Sequence, residues 1–238
     1  MISTRINIIS SGDELKKVLV KYVYDSLRNP HADILAKVRQ LRIVRELDSK
    51  QYNFLKRQLP YLVCGIFNPS FRRTENFAYT EYFIIDIDHI SEKDLNLQDI
   101  KKAIIKDERV CLCFISPGED GLKVLFKLKE RCYDAGLYSL FYKSFLQSFS
   151  TQYNLQQVVD VKTSDVTRAC FVSIDSEAYY NPEPTLVDIN SFISANNTQS
   201  AFDIKHQLEQ QEVSKDAEVK TEEKVIDPDQ ATLVKIKQ

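Results

Sequence analysis

Apolar positions along the chain change their spacing near residue 60. Before that point they recur every three or four residues, the period of a helix with one buried face. Residues 13–27 read as a helix after a Ser-Gly start, and residues 32–46 as a second, with Ile34, Leu35, Val38, Leu41 and Val44 on one face. Asp48 is placed to cap a short third helix through Gln58, and Pro60 stops it. The first 60 residues are therefore expected to be a helical N-terminal segment.

From Tyr61 short apolar runs alternate with amphipathic stretches. Strands are expected at Tyr61–Phe67, Glu81–Asp88, Val110–Ile115, Gly121–Leu128 and Ala169–Ile174, with a polar loop over Asn68–Asn76 and a tight turn over Ser116–Asp120. Helices are expected at Lys93–Lys106 and at Cys132–Tyr153, where Leu137, Phe141, Phe145 and Phe149 form an apolar stripe at i+4 intervals that must pack on a sheet. Pro182 and Pro184 punctuate the end of this unit, and Val187–Ala195 is a candidate last helix. The order predicts an α/β (α+β) sandwich, helices against a mainly antiparallel sheet, over residues 61–197. From Thr198 the chain turns polar and aromatic-poor, six lysines against nine acids, and residues 198–238 read as a flexible charged tail or linker.

Composition narrows the function classes. With 43% hydrophobic and 28% charged residues the chain can bury an ordinary core. Five glycines and the lack of Gly-x-Gly-x-x-Gly or Walker-type Gly-Lys-Ser/Thr remove support for the usual dinucleotide and ATP-hydrolysis loops. The net charge of −2 neither favours nor disfavours nucleic acid, because phosphate contacts need only a local basic track. Five cysteines without a Cys-x-x-Cys pair read as buried thiols in a reducing cytoplasm rather than a zinc site. No stretch reaches membrane-spanning length, and no signal peptide opens the chain, so a cytoplasmic protein without membrane contact is expected.

Three stretches carry candidate chemistry. In Phe83-Ile84-Ile85-Asp86-Ile87-Asp88 two carboxylates follow a buried apolar run at i and i+2, so they share a face of the strand about 7 Å apart. Their repulsion calls for a divalent cation with oxygen ligands, Mg²⁺ or Mn²⁺, unless the strand simply ends in a solvated turn. In Ser116-Pro117-Gly118-Glu119-Asp120-Gly121-Leu122-Lys123-Val124-Leu125-Phe126-Lys127-Leu128 a Pro-Gly turn leads into a strand. Its Lys123 and Lys127 face away from the helices, onto an uncovered surface where they meet phosphates or only solvent. In the third stretch Asp160 ends the run Val158-Val159-Asp160 as a candidate third carboxylate, and Arg168 sits at the mouth of the next strand. Asp165 reads as an alternative acid or as a turn or capping residue. His89 reads as a strand-end residue and is given no role.

The order of these motifs, with Cys64-Gly65-Ile66-Phe67 upstream and Tyr179-Tyr180-Asn181-Pro182 at the end, resembles the archaeo-eukaryotic primase superfamily in its primase-polymerase branch, and most of all the VirE N-terminal domain family, over about residues 55–182. The resemblance implies an RRM-like catalytic sheet in which Asp86, Asp88 and Asp160 bind two metal ions. It places Gly121-Leu122-Lys123 where the superfamily has small-x-His, so Lys123 takes the place of the phosphate-binding histidine. Arg168 matches a second phosphate contact, with Ser116, Arg72 and Arg73 as further candidates for triphosphate or template. The activity implied is two-metal nucleotidyl transfer from nucleoside triphosphates on a nucleic-acid template, alongside a helicase or other replication module. Two other readings stay open: a nucleic-acid-binding module that has lost synthesis, and a metal-dependent nuclease.

Overall fold

The computed structural model describes residues 1–9, 14–160 and 164–193, all within the unit Met1–Ala195. The tail expected over 198–238 lies outside the described residues.

The larger sheet has five strands in the order β4 (Gly65–Phe67), β5 (Phe77–Ile87), β7 (Leu122–Cys132), β6 (Val110–Ile115) and β9 (Tyr179–Tyr180), all neighbours antiparallel. β5 and β7 are its two long central strands. Alternation sends Phe83, Ile85 and Ile87 of β5, with Leu122, Val124, Phe126 and Leu128 of β7, to one face. That face is covered by α4 (Leu97–Ile104) and α5 (Ala135–Tyr153). Asp134 caps α5 by accepting from Leu137 N at 2.7 Å, and Asn154 ends it in the left-handed region at φ 56°. The buried side of α5 is Tyr138, Phe141, Tyr142, Phe145, Leu146 and Phe149. Leu137, expected in the stripe, is 42% exposed, because the stripe turns toward Tyr138 at its first turn. Phe145 sits edge-on to Phe83 and Phe126, with ring centres 4.8 and 5.0 Å away.

The opposite face is not open. A second antiparallel sheet, in the order β2 (Lys16–Val18), β1 (Ile2–Arg5), β3 (Tyr61–Val63) and β8 (Cys170–Phe171), lies against it together with α1 (Val20–Arg28). Ile84 of β5 and Leu125 of β7 pack there with Ile2, Val20, Val23, Leu27 and Leu62. Over its described part the expected helix 13–27 is strand at Lys16–Val18 and helix from Val20. The expected strand 61–67 is two strands: the chain passes between sheets at Cys64, and at Gly65 a Cβ would meet the Val166 carbonyl at 2.8 Å. β1 pairs with both β2 and β3, so the first 60 residues are built into the same unit as the rest.

α2 (Ala32–Arg45) and α3 (Ser49–Lys56) form a hairpin with a small core of its own, Val38, Leu41 and Leu59, against Phe171 and Ile174. Asp48 caps α3 as expected, accepting from Lys50 N and Gln51 N. The expected strand 169–174 shortens to β8, and in place of a helix the described part of 187–195 holds a bridge from Val187 to Leu128 and a 3₁₀ turn, Ile189–Ser191. All five cysteines are buried and free. No helix among the described residues is long and apolar enough to cross a membrane.

Candidate functional site

Along β5 the side chains facing the second sheet run through Tyr82 and Ile84 and then become Asp86 and, just past the strand, Asp88. Backbone register decides what stands beside them. On one side Asp86 pairs with Lys123 of β7. On the other, residues 158–160 run antiparallel to the end of β5: Ile87 bridges Val159, Asp160 N donates to Asp86 O at 3.0 Å, and Asp88 N donates to Val158 O at 2.8 Å. Cross-strand neighbours share a face, so Lys123, Asp86 and Asp160 form a row, with Asp88 one step along.

Sequence reasoning left Lys123 on an uncovered surface, and the second sheet corrects this. Its side chain is only 5% exposed, and its ammonium donates to Asp86 and lies 3.4 Å from Asp88 Oδ1. Burial pulls the Lys123 ammonium down to about 8. Burial is also the main cause that raises the Asp88 carboxyl; the charge of Lys56 works against it, and those of Asp160 and Asp120 with it. Asp160 accepts from Arg168 Nη2 at 3.0 Å, so the row closes with a cation at each end. Gly121 stands opposite Asp88 for a steric reason: a Cβ there would lie 2.2 Å from Ile87 O and 2.6 Å from Asp88 Oδ1.

The row opens into a cleft of about 270 Å³ between the sheets, lined by Asp86, Asp88, Lys123, Arg168, Arg72, Pro117, Ala169, Cys170, Phe171, Ile8 and Lys56. Arg72 donates to Thr167 O at 2.8 Å and lies over the Tyr61 ring. Two other candidates are placed elsewhere. Arg73 is exposed and faces Glu75 at 3.8 Å, and Ser116 is buried in the β6–β7 turn, outside the cleft lining. Asp165 holds a turn, accepting from Thr167 N at 2.7 Å. The sequence reading passed over Lys56, Phe171 and Cys170. Two of them sit on the two-residue strand β8 and one at the end of α3, and only the tertiary fold brings them to the acids.

Whether a divalent ion suits these residues can be judged from Lys123. Its ammonium marks a point within hydrogen-bond reach of both Asp86 and Asp88, so an oxygen-seeking cation fits there once the lysine withdraws. Asp160 is not closed onto the pair. Among the described residues the trio that brings ligand atoms within 4.8 Å of one another is His89, Glu92 and Asp120. There the two Asp120 oxygens already accept from Ser91 N and Arg45 Nη2, both at 2.7 Å, and His89 Nδ1 lies 2.7 Å from Glu92.

The family model for the BT4734-like N-terminal domain matches residues 54–180, more than half of the chain. The chain belongs to that family. In this BT4734-like domain the match takes in the acid pair, Lys123, Asp160, Arg168 and the whole cleft lining except Ile8. Among solved structures, the domain is similar to the AEP domain of the primase-polymerase of cyanophage S-2L, at 10% identity and a TM-score of 0.37, over 62% of this chain and 76% of that one. So distant a likeness says nothing of what this domain does. No curated protein matches the sequence.

Proposed function

We propose that the cleft binds a nucleoside triphosphate and that the domain transfers its nucleotidyl group to a nucleic-acid 3′-hydroxyl on a template. The observation that carries this reading is the pair Asp86 and Asp88 lining one cleft with Lys123, Arg168 and Arg72, with Asp160 held beside it by Arg168. Carboxylates alone would repel a triphosphate, and cations alone would hold it without activating a hydroxyl. Set side by side, they suit phosphoryl transfer, where catalysis is mostly positioning and charge stabilisation.

Asp86 and Asp88 would hold a divalent cation, Mg²⁺ or Mn²⁺, with Asp160 as the added carboxylate. Bound there, such an ion neutralises charge on the phosphates and makes the attacking hydroxyl more acidic. The protein's own residues do the rest. Lys123 leaves the acid pair for the triphosphate, and Arg168 and Arg72 take the outer phosphate oxygens. The hydroxyl oxygen bonds to the α-phosphorus, the bond to the bridging oxygen breaks, and pyrophosphate leaves. The proton released by the hydroxyl passes to solvent at the open mouth of the cleft. The cleft is near the lower end of ligand pockets, roughly 300–1,000 Å³, so it takes the phosphates while sugar and base lie toward the open mouth.

A second reading rests on the Lys123–Asp86 pair itself, which satisfies the acids without any ion and suits a nucleic-acid-binding module that has lost synthesis. An extension assay with labelled nucleotides, a primed single-stranded template and Mg²⁺ or Mn²⁺ decides. Incorporation that disappears in Asp86→Ala and Asp88→Ala supports transfer. Binding of template without incorporation supports the module, and shortening of the template strand supports a nuclease. A helicase or replication partner is part of the same proposal and is tested by co-purification with the template-bound protein.

A further inference from the structure

We infer that Lys56, at the end of α3, is a polyphosphate-binding residue of the cleft, delivered to it by the N-terminal helical hairpin; this rests on the nucleotide reading above. The hairpin is tied to the turn that precedes Lys123. Arg42 Nε donates to Pro117 O at 3.3 Å, and Arg42 Nη1 lies 2.7 Å from Glu119. Arg45 donates to Gly118 O at 2.8 Å and to the Asp120 carboxylate at 2.7 Å. Arg42 also reaches Ile174 O at 2.9 Å, just beyond β8. The helices are thus clamped to both walls that flank the acids, and this fixes where the last residue of α3 can point. Lys56 lines the cleft with Asp86, Asp88, Arg72 and Arg168.

The cations of the cleft differ in what already holds them. Lys123 is bonded to Asp86, Arg168 to Asp160, and Arg72 to the Thr167 carbonyl. The Lys56 ammonium lies over the rings of Tyr52, at 5.6 Å, and Phe171, at 6.0 Å, and pairs with no carboxylate among the described residues. Ring contacts of this kind hold an ammonium weakly, about 0.5–1 kcal/mol, so it can turn to an incoming anion at little loss. Arg72, Arg168 and Lys56 line the cleft together with the acid pair, and a chain of phosphates with one end at that pair presents oxygens enough for all three. The ligand class is therefore a nucleoside triphosphate or another polyphosphate.

The test is titration calorimetry of dATP and of inorganic tripolyphosphate, both with Mg²⁺, against the full chain and the variants Lys56→Ala, Lys56→Arg and Arg57→Ala. Arg57 is an exposed neighbour outside the cleft lining. Loss of a charge-assisted contact weakens binding by about 10- to 100-fold, so Lys56→Ala is expected to bind both ligands that much more weakly. Arg57→Ala is expected to stay within about threefold of wild type, since the cleft lining is kept, and Lys56→Arg to bind both ligands more tightly than Lys56→Ala, since the charge is kept. Unchanged affinity in Lys56→Ala overturns the inference. So does an equal loss in Arg57→Ala, which marks general surface charge, or a loss confined to dATP, which marks a contact with sugar or base. If wild type binds neither ligand, the nucleotide reading falls as well, and the two failures are told apart.

Discussion

Replacing Lys123 by methionine keeps the length and apolar body of the side chain and removes its charge. Asp86, 17% exposed, and Asp88, 34% exposed, then share one face of a strand with no cation between them. Breaking a fully buried ion pair from one side costs about 3–5 kcal/mol, and the partial exposure of both acids brings the expected loss down to about 2–3 kcal/mol. For a unit of this size each kcal/mol lowers the melting temperature by about 2–4 °C, so the midpoint should fall by roughly 4–12 °C. Two further measurements separate this cause from poor packing. The double variant Lys123→Met, Asp86→Asn should regain at least half of the loss, because one of the two facing charges is gone. Millimolar Mn²⁺ should raise the midpoint of Lys123→Met more than that of wild type, because the ion takes the place the ammonium held. A single variant that melts with wild type, or a double variant no more stable than the single, would refute the reasoning.

Two other outcomes follow from the same geometry. Gly121→Ala puts a methyl group against a backbone carbonyl that cannot swing aside, so urea unfolding should show a loss of about 3 kcal/mol, the upper end for overpacking, together with loss of nucleotide incorporation. Phe145→Ala empties the centre of the helix-facing core and should cost about 3–5 kcal/mol, while Leu137→Ala on the same helix stays within about 0.5 kcal/mol; equal losses in chemical denaturation would contradict the placement of α5.

How much of this was legible in the sequence depends on the length of each element. β5, β6, β7 and α5 show long apolar periods, and the period of two put Asp86 and Asp88 on one face before any coordinates. The same period put Lys123 on the face away from the helices, which holds. What it could not supply is the cover over that face. The second sheet is assembled from strands of two to four residues, Ile2–Arg5, Lys16–Val18, Tyr61–Val63 and Cys170–Phe171, too short to carry a pattern. The run from Tyr61 to Phe67 looks like one strand because both its halves are buried, although each belongs to a different sheet. Lys56 gave no local signal either. It is one lysine on a polar helix, and its place in the cleft follows from arginines ten or more residues away gripping a turn sixty residues further on. Lys101 is a similar case: nothing in the local pattern marks it, yet it is buried and bonded to Asp175 at 2.8 Å.

The central claim is that Asp86 and Asp88 receive a divalent cation and a triphosphate in the cleft between the two sheets. Crystals grown with Mn²⁺ and a non-hydrolysable nucleoside triphosphate, measured for the anomalous signal of manganese, test it most directly. The account predicts a manganese peak between the two carboxylates, Lys123 turned away from Asp86, and phosphates against Arg72, Arg168 and Lys56. A peak only at His89, Glu92 and Asp120, or Lys123 still bonded to Asp86 with the nucleotide bound elsewhere, would contradict it.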